Sequence, residues 1–387
     1  MSEIAAALER PTSAEGVLEV VTRAGAAGGS LEVVGGGTKR GIGAVQGAAG
    51  VLSLDRLNKV IDYAPEELVL TAQPGVTLAA LEKLVAAEGQ MLPFEPPHLT
   101  GLLGSKGEAT LGGALAANLS GPRRVRAGAA RDHLLGFEAV TGRGELMKAG
   151  GKVVKNVTGY DLSKLMAGSW GTLAVFTEVT IKVLPAARTE VTMLWFGLDD
   201  RRAGEAMTQA MRSVAEVSGA AHLPSRTAAR APLSGEMSVT AFRIEGFAAS
   251  VVARVDSLTN ALAGFGRADQ LDAVHSRAFW NQIGEVAAFH GDPRPLWRIS
   301  VPPACGWQVG EAVRGEGLYD WAGGLVWLLA DNGGDVRPAI RALGGHATLY
   351  RGEDAGFEPL SGAHAALSAR VKAAFDPAGV LNPGRMT

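Results

Sequence analysis

The sequence predicts an α+β fold, and three observations carry the prediction. Short apolar runs that empty into glycines crowd the first 190 residues, and "LEVVGGGTKRGIG" (31–43) is the sharpest of them. From residue 191 onward strand-like and helix-like segments alternate, as in a separate α+β unit. The 387 residues, 47% hydrophobic and 20% charged, are enough for two or three packed cores.

In chain order, 31–34 ("LEVV"), 51–54 ("VLSL") and 68–73 ("LVLTAQ") read as buried strands. Residues 77–89 read as a helix: Thr77 caps it, Leu78, Leu81, Leu84 and Val85 form one stripe, and Gly89 stops it. Residues 134–151 read as two strands around Gly142–Gly144. In 172–185, Leu173, Val175, Val179, Ile181 and Val183 are expected on one strand face, with Pro185 ending the strand. Further on, 191–198 reads as a strand, 201–218 as a helix stopped by Gly219, 220–236 as a long loop, 237–246 as a strand and 248–263 as a helix. "LWRISV" (296–301) and "LVWLLA" (325–330) add strands, and a helix at 363–375 precedes the turn "DPAGVLNPGRM". No internal repeat is visible in the residues.

A formal net charge of -2 gives no general support to binding nucleic acid or an anionic membrane. The single cysteine, Cys305, excludes a disulfide framework, and an iron–sulfur cluster or cysteine-based zinc site within this chain. It suits a reducing compartment. The first residues, "MSEIAAALERPTSAEG", are acidic and lack a basic-then-apolar leader pattern. No apolar run reaches the roughly 18 residues of a membrane span. The expectation is a cytoplasmic chain.

Glycine-rich turns after a strand often cradle phosphate. A P-loop requires Gly-Lys-Ser/Thr at a spacing that 35–43 lacks. The dinucleotide fingerprint fails too, because Arg40 stands where the third glycine belongs and no helix follows. A nest of backbone N–H groups can hold a pyrophosphate without a helix, with Lys39 or Arg40 adding charge. Alone, the stretch reads sooner as a glycine-rich surface hairpin. A second stretch, 109–146, strips side chains away at Gly112, Gly113, Ala114, Ala116 and Ala117, which lets backbone lie against a ring or diphosphate.

Five segments in order, "GGGT", "PGVTLAAL", "TLGGALAAN", "GSWGTLAVFTEVTIKV" and "DPAGVLNPGR", give a resemblance to the vanillyl-alcohol-oxidase/p-cresol-methylhydroxylase (PCMH-type) flavoprotein family. It covers residues 30–187 and the last dozen. Within the family, "VKNVTGYDLSKLMAGSWGTLA" and "LWRISVPP" are more similar to the smaller flavin subunits of bacterial glycolate oxidases than to the D-type catalytic subunits. The resemblance implies a PCMH-type FAD-binding domain of two α+β subdomains (1–187), a smaller ferredoxin-like α+β cap domain (188–345), and a C-terminal segment (346–387) returning to the flavin. It implies pyrophosphate contacts from Gly35, Gly36, Gly37, Thr38 and Lys39, and a ribose and adenine side lined by Pro74, Gly75 and Val76. Thr110, Gly112, Gly113, Ala116, Asn118 and Gly121 would follow the diphosphate and the flavin edge. Gly128, Arg131 and Asp132 would support them, Gly171, Val175 and Glu178 would close the pocket, and Asn382 would reach back from the C-terminus. Some relatives attach FAD through a histidine beside the first glycine loop. Thr38, Lys39 and Arg40 stand there instead, so non-covalent FAD is expected.

The catalytic reading is thinner. No pair of the seven histidines has the spacing of the metal site used by related D-2-hydroxy-acid dehydrogenases, so no metal is expected. His346 and Arg351 in "GGHATLYR" and Arg298 in "LWRISV" are candidates for contact with a small 2-hydroxy acid, and Arg298 suits a carboxylate. His346 reads sooner as a hydrogen-bonded turn histidine, Arg298 fits an internal ion pair equally, and Arg351 is the weaker candidate. Arg123, Arg124 and Arg126 could grip the FAD phosphates, but read sooner as partner contact or solvated surface. Trp280 and Cys305 read as core, and Trp170 replaces an acidic residue usual in relatives. Two functions follow. One is an FAD subunit of a glycolate-oxidising complex with a D-type flavin subunit and an iron–sulfur subunit, lying peripherally on the inner membrane face through those partners. The other is a non-catalytic FAD-binding or electron-relay subunit, with a stand-alone oxidase as a third option.

Overall fold

The computed structural model describes residues 7–43, 45–151, 160–231, 237–353 and 356–386. Residues 152–159, part of the segment that favours the smaller subunits, lie outside the described residues, as do 232–236 of the expected loop.

Strands β1 (Ala7–Glu9), β2 (Leu31–Val34) and β3 (Gly50–Ser53) form a parallel sheet in the order β1-β3-β2. Then come β4 (Val60–Ala64), β5 (Val69–Ala72), the short β6 (Gln90–Met91), β7 (Leu134–Thr141), β8 (Leu146–Gly150), β9 (Ala174–Lys182) and the short β10 (Leu184–Pro185). Five of these make an antiparallel sheet, β4-β5-β9-β7-β8, and β6 pairs with β10. The helix Leu78–Ala87 forms as its sequence implies, with the Thr77 hydroxyl accepting from the Ala80 N–H. Its Leu78, Leu81 and Val85 enter the core on one face of the five-stranded sheet.

The expected single face of 172–185 is corrected by a β-bulge. Ala139 pairs with Phe176 and Glu138 with Glu178, so Thr177 is the extra residue. The alternation slips there. Leu173, Val179, Ile181 and Val183 enter the same core as Phe176, whereas Val175 turns to the opposite cluster with Val17, Val20, Val21 and Leu52.

The rest of the sheet structure is one eight-stranded antiparallel layer. Its strands are β11 (Thr189–Phe196), β12 (Gly219–Leu223), β13 (Val239–Gly246), β14 (Ala268–Leu271), β15 (Leu296–Ser300), β16 (Gly315–Asp320), β17 (Leu325–Ala330) and β18 (His346–Arg351). The order is β14-β11-β13-β12-β16-β17-β15-β18. This is the expected ferredoxin-like pattern met twice. β11–helix–β12–β13–helix–β14 and β15–helix–β16–β17–helix–β18 each order their strands fourth, first, third, second. The halves join edge to edge where His222 of β12 pairs with Tyr319 of β16. His222 bonds Thr240 (2.9 Å) and Asp200 (3.3 Å), and the Tyr319 hydroxyl donates to Asp200 at 2.5 Å, which ties the seam together.

Three further expectations are corrected. The helix after β11 is Asp200–Arg212 and stops well before Gly219. The stretch read as loop holds buried β12 and the short helix Ser225–Ala228. His346–Arg351, placed by sequence in the returning C-terminal segment, is an edge strand of the eight-stranded sheet, and the return begins after it.

Helices cover one face of that sheet around Trp195, Phe242, Trp297 and Val326. The other face packs against the first unit, where Leu296, Leu318, Trp327 and Tyr350 share a cluster with Ile42, Leu99, Leu102 and Leu119.

Candidate functional site

A cleft opens where the glycine loop after β2, the helix Leu111–Ala116, the turn at Trp170–Gly171, β9 and the C-terminal turn converge. Of the sequence-expected residues, Gly35, Gly36, Gly37, Thr38, Lys39, Pro74, Thr110, Gly112, Gly113, Ala116, Gly171, Val175 and Asn382 line it.

The walls are built by close backbone approach. A Cβ on Gly36 would sit 1.6 Å from the Glu108 carbonyl oxygen, so glycine there lets the 35–37 loop cross the 107–108 segment. A Cβ on Gly112 would meet Pro74 at 2.4 Å. Thr110 caps its short helix by accepting from Gly113 at 3.3 Å.

The C-terminal turn straps these walls together. Asp376 is buried, accepts from the Val380 and Leu381 N–H groups at 2.9 and 2.8 Å, and pairs with Lys372. Beyond it the Asn382 carboxamide accepts from Val33 at 2.7 Å and donates to the Trp170 carbonyl at 2.8 Å. Arg385 donates to the carbonyls of Ile42, Lys39 and Arg40 at 3.3–3.4 Å and lies over the Trp170 ring.

The electrostatics are one-sided. Lys39 and Arg385 are 9% and 6% exposed, and neither forms an ion pair among the described residues. Among the described residues, the Lys39 ammonium bonds only the Thr38 hydroxyl, at 2.7 Å. Burial pushes its ammonium down to about 8, with Glu285 pulling it up and Arg385 pushing it further down. Burial likewise lowers Arg385. The amide N–H groups of Gly36, Gly37, Thr38 and Lys39 have no acceptor among the described residues. Two buried cations beside a run of free amides suit a doubly charged anion. Arg40, the other candidate cation, is paired with Glu32.

The remaining expected residues stand outside the cleft. Gly75 packs under the Leu54 and Leu57 carbonyls, and Val76 is core. Asn118 accepts from the Arg131 N–H at 3.0 Å, and Asp132 caps Ala129 at 2.9 Å, so this stretch supports the wall. Gly121 accepts from the Trp321 indole at 3.0 Å, and Gly128 ends a helical turn at φ +90°. Glu178 pairs across the sheet with Glu138. Arg351 donates to the Leu102 and Arg294 carbonyls, which ties the second unit to the first. His346 opens β18 at the surface, and Arg298 lies over Trp321 and Trp327. Arg123, read from sequence as partner contact or surface, is instead buried between Glu95 and Glu245. Sequence reasoning missed Arg385 and the apolar lining from Val33, Leu54 and Phe176. Arg385 stood inside the quoted terminal motif, and its charge was the available signal.

Comparison with known proteins agrees with this geometry. A profile described as FAD binding domain matches residues 5–150. Glycolate oxidase subunit GlcE of Escherichia coli (strain K12) is 38% identical over 334 residues, covering 84% of this chain and 84% of that protein. Glycolate oxidase subunit GlcD of Bacillus subtilis (strain 168) is 34% identical over 144 residues, 37% of this chain and 29% of that protein. The crystal structure of p-cresol methylhydroxylase with substrate bound superposes with a TM-score of 0.72 at 15% identity, over 98% of this chain and 88% of that one, which shows a common fold. The fold is of the PCMH type, and its first part matches an FAD binding domain. The chain belongs to the family of FAD-binding oxidoreductases that includes glycolate oxidase subunit GlcE.

The donor set fits the cofactor. The free amides with Lys39 and Arg385 suit a diphosphate, while Val33, Leu54, Ala116, Ala117 and Phe176 offer apolar walls to flat rings. No histidine, cysteine or tyrosine is among the described residues that line the cleft.

Proposed function

We propose that this chain is the non-covalent FAD subunit of a glycolate-oxidising complex. The first 187 residues and the returning C-terminal turn hold FAD, and residues 188–351 cap it. One observation carries the reading: two buried, unpaired cations and a run of free amides meet in a cleft between two sheets. Lys39 and Arg385 neutralise the diphosphate, the Gly35–Lys39 amides orient it, and Asn382 holds both walls at fixed spacing. Bound FAD supplies the acceptor for the two electrons and hydrogen removed from a 2-hydroxy acid. Trp170 and the second sheet shield the flavin end from water.

The 38% identity to a protein named as a glycolate oxidase subunit supports glycolate as substrate class and a complex as the working form. The partners are a D-type flavin subunit and an iron–sulfur subunit that takes the electrons onward. No helix among the described residues is long and apolar enough to cross a membrane, and attachment to the inner face of the cell membrane runs through the partners.

The test is spectroscopic. The purified chain is yellow, and acid precipitation releases its FAD to the supernatant. Anaerobic glycolate or D-lactate bleaches it, alone or once the partners are added. A yellow chain that neither substrate bleaches, even within the complex, makes it a relay or structural subunit. A folded chain that takes up no FAD overturns the reading altogether.

A further inference from the structure

Outside the cleft, the described arginines nearest the junction of the two units are mostly paired. Arg123 and Arg243 meet Glu95, Arg126 meets Glu216, and Arg294 meets Asp292 and Glu316. Arg124 and Arg298 differ. Each is half-buried, and neither side chain makes a hydrogen bond or ion pair with a described residue. They come from different units, yet both lie on one indole. The guanidinium carbon of Arg124 is 4.2 Å from the Trp321 ring centre and that of Arg298 is 5.1 Å away.

Their placement faces inward. Trp297 and Ile299 enter the helix-covered core, so Arg298 between them points to the face turned to the first unit. Its cross-strand neighbours are Trp327 and Thr348. Tyr350 lies on the same face as Thr348, is 5% exposed, and sets its ring edge-on to Trp327 at 5.0 Å. Its hydroxyl has no partner among the described residues. The Trp321 indole donates to the Gly121 carbonyl, in the segment that continues from the cleft-lining Ala116 and Ala117. The cluster is thus tied to the segment that runs on from the cleft wall.

We infer that Arg124 and Arg298, with the Tyr350 hydroxyl, receive the carboxylate of a small acid at the edge of Trp321. The inference rests on the FAD reading above for the site's purpose. Stacking on an indole leaves the N–H edge of a guanidinium free for a planar, bidentate acceptor, which is what a carboxylate offers. Two cations in one half-buried place repel. Burial, then Arg298, lowers the Arg124 pKa, and an anion between them removes that conflict. The FAD phosphates are not that anion, because neither arginine lines the cleft, where Lys39 and Arg385 already stand. Arg124 is thus a specificity residue supplied by the flavin-binding unit, beside Arg298 from the cap.

The experiment is calorimetric titration of the full chain with oxalate, a small planar dianion, both FAD-loaded and FAD-free. Variants are Arg124→Met, Arg298→Met, the double variant and Arg298→Lys, with exposed Arg126→Met as a charge control. Wild type binds oxalate, each methionine variant weakens it by about 10–100-fold, and the double variant abolishes it. R298K recovers part of the loss, R126M does nothing, and 1,2-propanediol fails to bind. FAD content and melting temperature stay at wild-type values. Wild type that ignores oxalate in both forms, or a double variant that binds it as wild type does, overturns the inference. Arginine-dependent oxalate binding in a chain that never takes up FAD would leave this site standing and remove the FAD reading.

Discussion

The Asn382 carboxamide oxygen accepts the Val33 N–H at 2.7 Å, closing the chain on itself across 349 residues. The same carboxamide donates to Trp170, so one side chain spaces both walls of the cleft. Asn382 also sits at φ +43°, a left-handed conformation that asparagine tolerates better than most residues. Asn382→Asp keeps the acceptor and the backbone preference, but removes the donor and adds negative charge beside a diphosphate site. It is expected to weaken FAD binding at least tenfold while costing about 1–3 kcal/mol of stability, read by equilibrium dialysis and denaturant melts.

Lys39 makes FAD affinity depend on pH. Burial holds its free-state pKa at about 8, with Glu285, Arg385 and His98 as its charged surroundings. A bound diphosphate favours the ammonium, so above that value the chain must take up a proton to bind. FAD affinity should be flat below pH 8 and fall by up to about tenfold per pH unit above it. Lys39→Met should lose affinity at neutral pH and lose that slope. A slope unchanged in the methionine variant would separate the effect from Lys39.

Gly36 and Gly41 lie five residues apart in one loop and should behave oppositely. A Cβ at Gly36 collides with the Glu108 carbonyl, whereas nothing lies within 4 Å of one at Gly41. Gly36→Ala should lower the melting temperature by several degrees and abolish FAD uptake, and Gly41→Ala should be silent. Equal behaviour would mean that the two loops do not cross as described.

The two units are clamped by charge. Arg243 of β13 donates to both Glu95 oxygens at 2.7 and 2.9 Å, and Arg123 joins them. Burial alone would raise the Glu95 carboxyl, but Arg243 and Arg123 outweigh it and hold it at about 2. A depressed carboxyl contributes stability above its unfolded pKa, and that contribution is lost as pH falls from the mid-4s towards 2. Glu95→Ala leaves two buried cations to Glu245 alone and should cost about 3–5 kcal/mol, with a flatter acid limb in pH-melting curves.

Much of the cleft was legible from residue types. Backbone that must approach a ligand or another loop is written as Gly and Ala, and the segments 35–39, 110–116 and 171–175 carry that mark. What stayed hidden was tertiary. The Thr177 bulge flips Val175 to the other core, and no local pattern announces it. β12 reads as loop because Gly219 must be small beneath the Trp280 ring, and its alanines carry little strand signal. The doubled ferredoxin-like unit shares topology without shared residues, so no repeat appears in the sequence. Asn118 and Gly121 were expected at the cofactor, yet their bonds to Arg131 and Trp321 make them supports.

The central claim is that unpaired buried cations make this cleft a diphosphate site. The direct measurement is FAD bound per chain for wild type, Lys39→Met and Arg385→Met, alongside melting temperature. The account predicts stoichiometric, acid-releasable FAD in wild type and strong loss in both variants. It also predicts an apo Lys39→Met that melts no lower than wild type, since a buried charge has been removed. Wild type that binds no FAD in excess cofactor, or variants that bind it as tightly as wild type, would contradict it.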